Sequence, residues 1–248
     1  IMIKLKDVAS YVSEKVDTGL LKAQDYITTD NMLSNRGGII ISNSLPKAEK
    51  VTKFERGDIL VSNIRPYFKK IWYATFNGGC SNDVIVSRAN GINSKFLYYV
   101  LSQNEIIEHL QAIAEQSVSA YPSIKPSDIE NLNILLPDIE IQKRIISILS
   151  LIDGKITVNE TINNNLQEQM EALHRSWFID YAPFGDAKPS NWIKADIYSI
   201  ANIIYGAPFA SKLFNTEGLG NPIIRIRDLK EQTFVTYTTE IHPKGHLI

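Results

Sequence analysis

The chain has one cysteine, Cys80, among 248 residues. A lone thiol forms no internal disulfide and no multi-thiolate metal site, so Cys80 reads as a small buried residue and the compartment as reducing. Long apolar runs are missing as well: nothing approaches the ~18–20 residues of a membrane span. The opening Ile1-Met2-Ile3-Lys4 lacks the apolar core of a signal peptide, and a cytoplasmic protein is expected. Neither sign of charge dominates, since 26 Lys and Arg face 27 Asp and Glu for a net −1. A wholly basic nucleic-acid coat and a polybasic membrane binder are thereby excluded, and only local charge is informative. With 44% hydrophobic residues the chain is no disordered polymer, and its length fits one large or two modest domains. Both ends read as cuts: Ile precedes Met at the start, and Pro243-Lys-Gly-His-Leu-Ile248 stops inside a strand-like opening, so a longer parent chain is expected.

Enzymatic signatures are absent too. No Gly-x4-Gly-Lys-Ser/Thr cradle occurs, and Asn77-Gly-Gly-Cys80 is too short to replace one. Asn221-Pro-Ile-Ile224 lacks the second proline and the aromatic of the Asn-Pro-Pro-Tyr motif that grips a flipped base, and reads as the start of a strand. The four histidines have no metal-ligand spacing; His242 and His246 are four apart but separated by Pro243 and Gly245. Pro137-Asp138 before Glu140 is not followed by the Glu-x-Lys of a metal-dependent nuclease. Neither a catalytic residue nor a metal or cofactor site is expected on this chain.

What is present begins with strands. Gly38-Ile-Ile-Ile-Ser42, Asp58-Ile-Leu-Val-Ser62, Lys70-Ile-Trp-Tyr-Ala74 and Asp83-Val-Ile-Val-Ser87 are short apolar runs between turn formers. Ser94 is expected to cap a helix from Lys95 to about Gln116, and the segment Ser127–Leu136 closes an α+β domain over residues 1–136. Asp138 can cap a second helix, with Glu140 at the positive end of its dipole. In it Ile145, Leu149, Ile152, Ile156, Asn159, Asn163, Leu166, Met170, Leu173 and Trp177 alternate steps of four and three, a coiled-coil seam with a polar middle. A long spacer helix is therefore expected over 137–181, with Gly154 a point where it could bend; an ordinary packed amphipathic helix is the alternative. Residues 182–248 open a further domain that repeats the first: Asp7-Val-Ala9 answers Ser199-Ile-Ala201 at an offset of 192, and Glu55-Arg-Gly-Asp-Ile-Leu60 answers Pro243-Lys-Gly-His-Leu-Ile248 at 188.

Charge is concentrated between Lys47 and Lys70, where seven basic residues meet three acids, with Tyr67, Phe68 and Trp72 among or beside them. Such a stretch can neutralise phosphates while polar side chains reach base edges, although a solvated sheet face has the same pattern. The helical region is the reverse, with four basic residues against seven acids over 138–181, as suits a spacer or partner surface rather than a polyanion contact.

Several of these segments carry a family likeness. Leu136-Pro-Asp-Ile-Glu-Ile-Gln-Lys-Arg-Ile145, Ile148-Leu-Ser-Leu-Ile-Asp-Gly-Lys-Ile156, Asn163-Asn-Asn-Leu166 and Leu173-His-Arg-Ser-Trp-Phe-Ile-Asp180 closely resemble the conserved helix of the specificity (S) subunit of type I restriction-modification systems. Gly57-Asp-Ile-Leu-Val-Ser62, Ile64-Arg-Pro-Tyr-Phe-Lys69, Ser81-Asn-Asp83 and Ala120-Tyr-Pro-Ser-Ile124 look like its target-recognition domain, and Gly206, Phe209, Ser211, Phe214 and Pro222-Ile-Ile-Arg-Ile-Arg-Asp-Leu229 like the opening of a second one. The resemblance implies a non-catalytic DNA reader. Each recognition domain reads half of a bipartite target in double-stranded DNA, and the conserved helices set the gap. Methyltransferase subunits bring S-adenosylmethionine and modify an adenine, while a restriction subunit brings ATP- and Mg-dependent cleavage. On this reading Arg65, Lys69 and Lys70 contact phosphates or bases, Asn63, Asn82 and Tyr121 are polar readers, and Arg225 and Arg227, alternating on a strand, serve the second copy. The family pairs two such helices and this chain has one, so either more chain is needed or a second copy pairs through the seam. The rivals are a coiled-coil assembly scaffold with a protein-binding head, an inactive truncated remnant, and a methyltransferase or nuclease in its own right.

Overall fold

The computed structural model describes residues 1–116, 121–203, 208–231 and 235–241. By compactness the chain divides into Ile1–Gln167 and Glu168–Ile248, the division falling inside the long helix.

The first unit is built on one sheet with both faces covered. Strands β1 (Met2–Lys4), β2 (Ala9–Tyr11), β3 (Lys15–Asp17), β4 (Tyr26–Ile27), β5 (Lys50–Phe54), β6 (Ile59–Ser62), β7 (Ile71–Tyr73), β8 (Gly78–Cys80), β9 (Val84–Ala89) and β10 (Asn133–Leu135) form three sheets. Their orders are β2-β9-β6-β7, β3-β5-β8-β4, and the antiparallel pair β1-β10. Alternation along β6 and β9 explains the layering. Leu60, Val84 and Val86 point into a cluster with Phe54, Trp72 and Cys80 on the side of the second sheet. Ile59, Val61 and Ile85 point the other way, into a cluster with Phe96, Leu97, Leu101 and Leu110 from the helices. A strand buried on both faces reads as a continuous apolar run, which is why Asp58-Ile-Leu-Val-Ser62 was legible. Gly78 and Gly79 are demanded by close packing in β8: a Cβ on Gly78 would lie 2.2 Å from the Asp25 carbonyl oxygen, and one on Gly79 2.5 Å from Val51.

Three expectations fail here. Gly38-Ile-Ile-Ile-Ser42 is no strand: Ile39 makes one isolated bridge to Met32, and Ile40 and Ile41 face solvent. Its backbone bonds close back on the same loop, Leu33 N–H to the Gly38 carbonyl (2.9 Å) and Ile40 N–H to that of Asn31 (2.9 Å), so its groups pair within the loop rather than with a sheet. The helix after Ser94 is two, α1 (Ser94–Leu101) and α2 (Asn104–Glu115), parted where Gln103 turns extended. Its cap is Asn93, whose side-chain oxygen accepts the N–H groups of Lys95 (2.9 Å) and Phe96 (3.3 Å); Ser94 is the first helical residue.

After α3 (Pro126–Glu130) and β10, helix α4 runs unbroken through Gly154 from Ile139 to Phe178, about 60 Å at ~1.5 Å per residue. Asp138 caps it, its carboxylate accepting the Ile141 N–H at 2.9 Å. The seam is divided. Ile145 packs on the core and Leu149 is half-buried, whereas Ile152, Ile156, Leu166, Met170, Leu173 and Trp177 are 47–63% exposed, with Asn159 and Asn163 exposed between them. No helix among the described residues is long and apolar enough to cross a membrane.

In the second unit Trp192 gathers Phe178, Tyr181 and Phe184 at ring-centroid distances of 5.3–5.9 Å, beyond the end of the helix. Strands β11 (Phe214–Asn215), β12 (Asn221–Pro222) and β13 (Tyr237–Thr238) form a small antiparallel sheet, and α5 spans Ile226–Glu231. The first repeat has a structural echo: Leu5–Asp7 and Ile197–Ser199 are both single 3-10 turns, 192 residues apart. Residues 243–248 of the second repeat, Gly206 and Ala120 lie outside the described residues.

Candidate nucleic-acid interface

Four loops meet at one edge of the central sheet: the segments after β4 and after β6, the β8–β9 turn, and residues 121–124. The bonds that join them are specific. Asn63 N–H donates to the Asp83 carbonyl (2.9 Å), Ile124 N–H to that of Asn63 (2.9 Å), and Arg65 N–H to that of Pro122 (2.9 Å). Asn35 and Arg36 donate their N–H groups to the carbonyls of Phe68 (2.8 Å) and Lys69 (3.0 Å). The Thr29 hydroxyl is 3.2 Å from that of Ser62 and donates to the Asp83 carbonyl at 3.2 Å. Side chains from distant parts of the sequence are therefore held on one frame.

The turn bearing the predicted cations is conformationally unusual. Pro66–Phe68 is a 3-10 turn flanked by Arg65 (φ 50°) and Lys69 (φ 54°), and Asn35 (φ 55°) and Arg36 (φ 63°) oppose it. Four non-glycine residues in the left-handed region cost about 1–2 kcal/mol each and persist only because the loop-to-loop bonds over-determine them, a pattern found at binding sites. The strain brings Arg65 over the exposed Tyr121 ring (4.8 Å) and leaves Tyr67 and Phe68 half-exposed, their centroids 4.4 Å apart.

Each candidate has a definite place. Lys70 donates to the Thr29 carbonyl (2.6 Å) and Lys69 to the Asn104 side-chain oxygen (3.1 Å), which Arg36 also reaches (2.9 Å) while its guanidinium holds the Ser102 carbonyl. These acceptors are neutral, so the positive charge stays unpaired; exposed acids nearby include Asp30, Asp83 and Glu115, the last bonded to the Gln111 that holds the Tyr67 N–H. Asn63 spends its amide on the Asn82 carbonyl (3.4 Å), with its own oxygen buried and unpartnered among the described residues, while the Asn82 side chain is exposed. Asn63, Arg65, Lys69, Lys70, Asn82 and Tyr121 are thus brought together. Arg36 was overlooked by sequence reasoning; its one signal is the Asn35-Arg36-Gly37-Gly38 turn composition.

Arg225 and Arg227 correct the strand reading. Arg225 precedes α5 and Arg227 lies within it, so they share no strand face. Arg225 binds the buried Asp228 (3.2 Å) and covers Phe214, and its hydrogen bonds hold the Asp228 carboxyl below its ordinary range. Arg227 is largely exposed and 3.5 Å from the same carboxylate.

Two other cations near this edge, Lys53 and Arg88, are spent within the fold, whereas Lys47, Lys50 and Arg56 of the same stretch are exposed. Arg88 grips the buried Asp58 with two bonds (2.8 and 2.7 Å), and Lys53 lies 2.9 Å from both Glu14 and Glu55. The hydrogen bond from Lys53, helped by Arg88, keeps the Glu55 carboxyl below its usual range. Away from this edge, burial pushes the Cys80 thiol up to about 12, as expected of an inert core thiol. No group of three or more His, Cys, Asp or Glu that could hold a metal ion occurs among the described residues.

The sheet thus presents basic and aromatic loops at one edge and is followed by a long helix. Residues 2–168 match the family model of the type I restriction modification DNA specificity domain, and the chain belongs to that family. It is similar to the type I restriction enzyme HindI specificity subunit of Haemophilus influenzae, 32% identical over 190 residues (72% of this chain, 40% of the relative). It is similar too to the MjaIX specificity subunit of Methanocaldococcus jannaschii, 24% identical over 231 residues (86% and 51%). The chain thus spans about half the length of these relatives. Its fold matches the HsdS subunit from Thermoanaerobacter tengcongensis with a TM-score of 0.51 (24% identity, 90% of this chain, 60% of the other). A chain from a study of complex assembly and conformational transition of the type I R-M system gives 0.52 (21% identity, 98% and 65%).

Proposed function

We propose that this chain is a non-catalytic DNA-reading part of a type I restriction-modification complex. Its edge loops read one half of a bipartite target in double-stranded DNA. The observation that carries this is the convergence of Arg36, Arg65, Lys69 and Lys70, all with neutral partners, around exposed aromatic rings on an over-determined frame. Cations free of carboxylates release counterions on binding phosphate, and a guanidinium near a groove reads guanine with two bonds.

In this reading the protein works in the cytoplasm, and helix α4 docks methyltransferase subunits. Those subunits bring S-adenosylmethionine, and a restriction subunit brings ATP and Mg. The exposed seam from Ile156 to Trp177 favours a helix as its cover, supplied by more of the same subunit or by a second copy; light scattering that finds a non-aggregating monomer with an intact helix counts against the second copy. The reading itself is tested by co-purifying the chain with the methyltransferase subunit of its source and mapping methylated adenines in host DNA. Methylation of a two-part target that disappears on deletion of the chain is expected. No complex and no change in methylation would overturn it in favour of the assembly scaffold or an inactive remnant.

A further inference from the structure

Helix α4 is held by its own domain only along its first part. Gln142, nearly fully buried, ties the start: its side chain accepts the Asn93 N–H (3.2 Å) and donates to the Pro137 carbonyl (3.0 Å). Ile145 and Ile146 pack on the core one turn up. The last anchor is polar. The Tyr99 hydroxyl donates to Asp153 at 2.7 Å and lies 3.2 Å from the Ser150 hydroxyl. The Lys95 ammonium sits 3.6 Å from the same carboxylate and 4.7, 4.9 and 5.3 Å from the rings of Tyr73, Tyr98 and Tyr99. Tyr73 belongs to β7, Lys95, Tyr98 and Tyr99 to one face of α1, and Asp153 to α4, so the contact joins the central sheet to the helix through three layers. Beyond Asp153, residues 154–167 are exposed to the end of this unit.

We infer that Tyr99, Lys95 and Asp153 form a positioning clamp that fixes the direction in which the free part of α4 leaves the recognition domain, and so sets which gap between half-sites is accepted. The inference rests on the DNA-reading function proposed above. Its basis is leverage. From Asp153 to Gln167 the helix rises about 21 Å at ~1.5 Å per residue, so a 10° tilt at the clamp moves the far end by roughly 3.6 Å. That is about one base-pair step, since B-DNA rises ~3.4 Å per step. Apolar contacts upstream tolerate sliding because dispersion is non-directional, whereas a 2.7 Å hydroxyl–carboxylate bond tolerates little. A cation enclosed by three rings adds a directional contact to the same carboxylate.

The test uses the assembled modification complex and duplexes in which the gap between half-sites is lengthened or shortened by one and two base pairs. Tyr99→Phe keeps the ring and removes the bond; Asp153→Ala removes the carboxylate from both Tyr99 and Lys95. Wild type is expected to modify one gap length, and both variants to lose at least tenfold of that preference while still rejecting base changes within a half-site. Val86→Ala, a core change remote from the helix, is the control for lost stability and should lower the melting temperature without altering the gap profile. An unchanged profile in a folded Tyr99→Phe complex overturns the clamp. A wild-type complex that modifies no bipartite target overturns the DNA-reading proposal instead.

Discussion

Two groups of cations, drawn from neighbouring stretches of sequence, have opposite fates. Lys53 and Arg88 sit on the sheets against Glu14, Glu55 and Asp58. Arg36, Arg65, Lys69 and Lys70 sit on loops against carbonyls, an amide and an aromatic ring. The first group is cancelled by carboxylates and holds the fold; the second, equally half-buried, keeps its charge. A local charge count weighs both equally, although only an uncancelled cation adds to the field a phosphate feels.

The comparison breaks most visibly at Arg88. Replacing it with Ala leaves Asp58 buried without its two charge-assisted bonds, and a loss of about 2–3 kcal/mol in stability is expected, below the full value for a buried pair because Arg88 is itself one-third exposed. Denaturant unfolding measures the loss, and the salt dependence of DNA binding should not move.

The loop cations should do the opposite. Arg65→Gly removes the guanidinium but suits the left-handed backbone, so relief of strain offsets the entropy of glycine and stability stays within about 0.5 kcal/mol. Discrimination at one base pair should fall by about 1–3 kcal/mol. Lys69→Gln or Lys70→Gln should weaken all sequences alike and lower the slope of log affinity against log salt by about 1 each. Binding to matched and mutated duplexes at several salt concentrations separates the two roles; equal losses for Arg65→Gly on every sequence would reassign it to phosphate.

A further effect, confined to alkaline pH, lies in the core beneath the sheet-bound cations. Burial raises the Cys80 thiol to about 12 in the folded state, against ~8.5 in an unfolded chain. The folded state then holds its proton more tightly, so this contribution to stability is complete below about pH 8.5 and is lost as pH rises toward 12. Unfolding free energy measured from pH 8 to 11 should fall less steeply in Cys80→Ala than in wild type.

Much of this was legible in the residues. The apolar runs of β6, β7 and β9 announced strands, Asp138 announced the cap of α4, and the helix motifs announced the family. Less was legible where partners decide: Ser94 was read as the cap although the neighbouring Asn93 is one, since both residue types cap well and only the backbone shows which accepts the N–H groups. Arg225 was read as an exposed strand residue because nothing local reveals that Asp228 is buried against it.

Periodicity, caps and turn formers act over a few residues, and so the sequence by itself determined the central strands, the long helix and the set of basic and aromatic residues near Arg65. Tertiary structure decided which loops meet, which cations lose their charge to a carboxylate, and how far α4 stays docked before its seam is exposed. The reason is distance along the chain: Asp58 and Arg88, Arg36 and Asn104, or Tyr99 and Asp153 are 30 to 68 residues apart, and only folding brings them into bonding range.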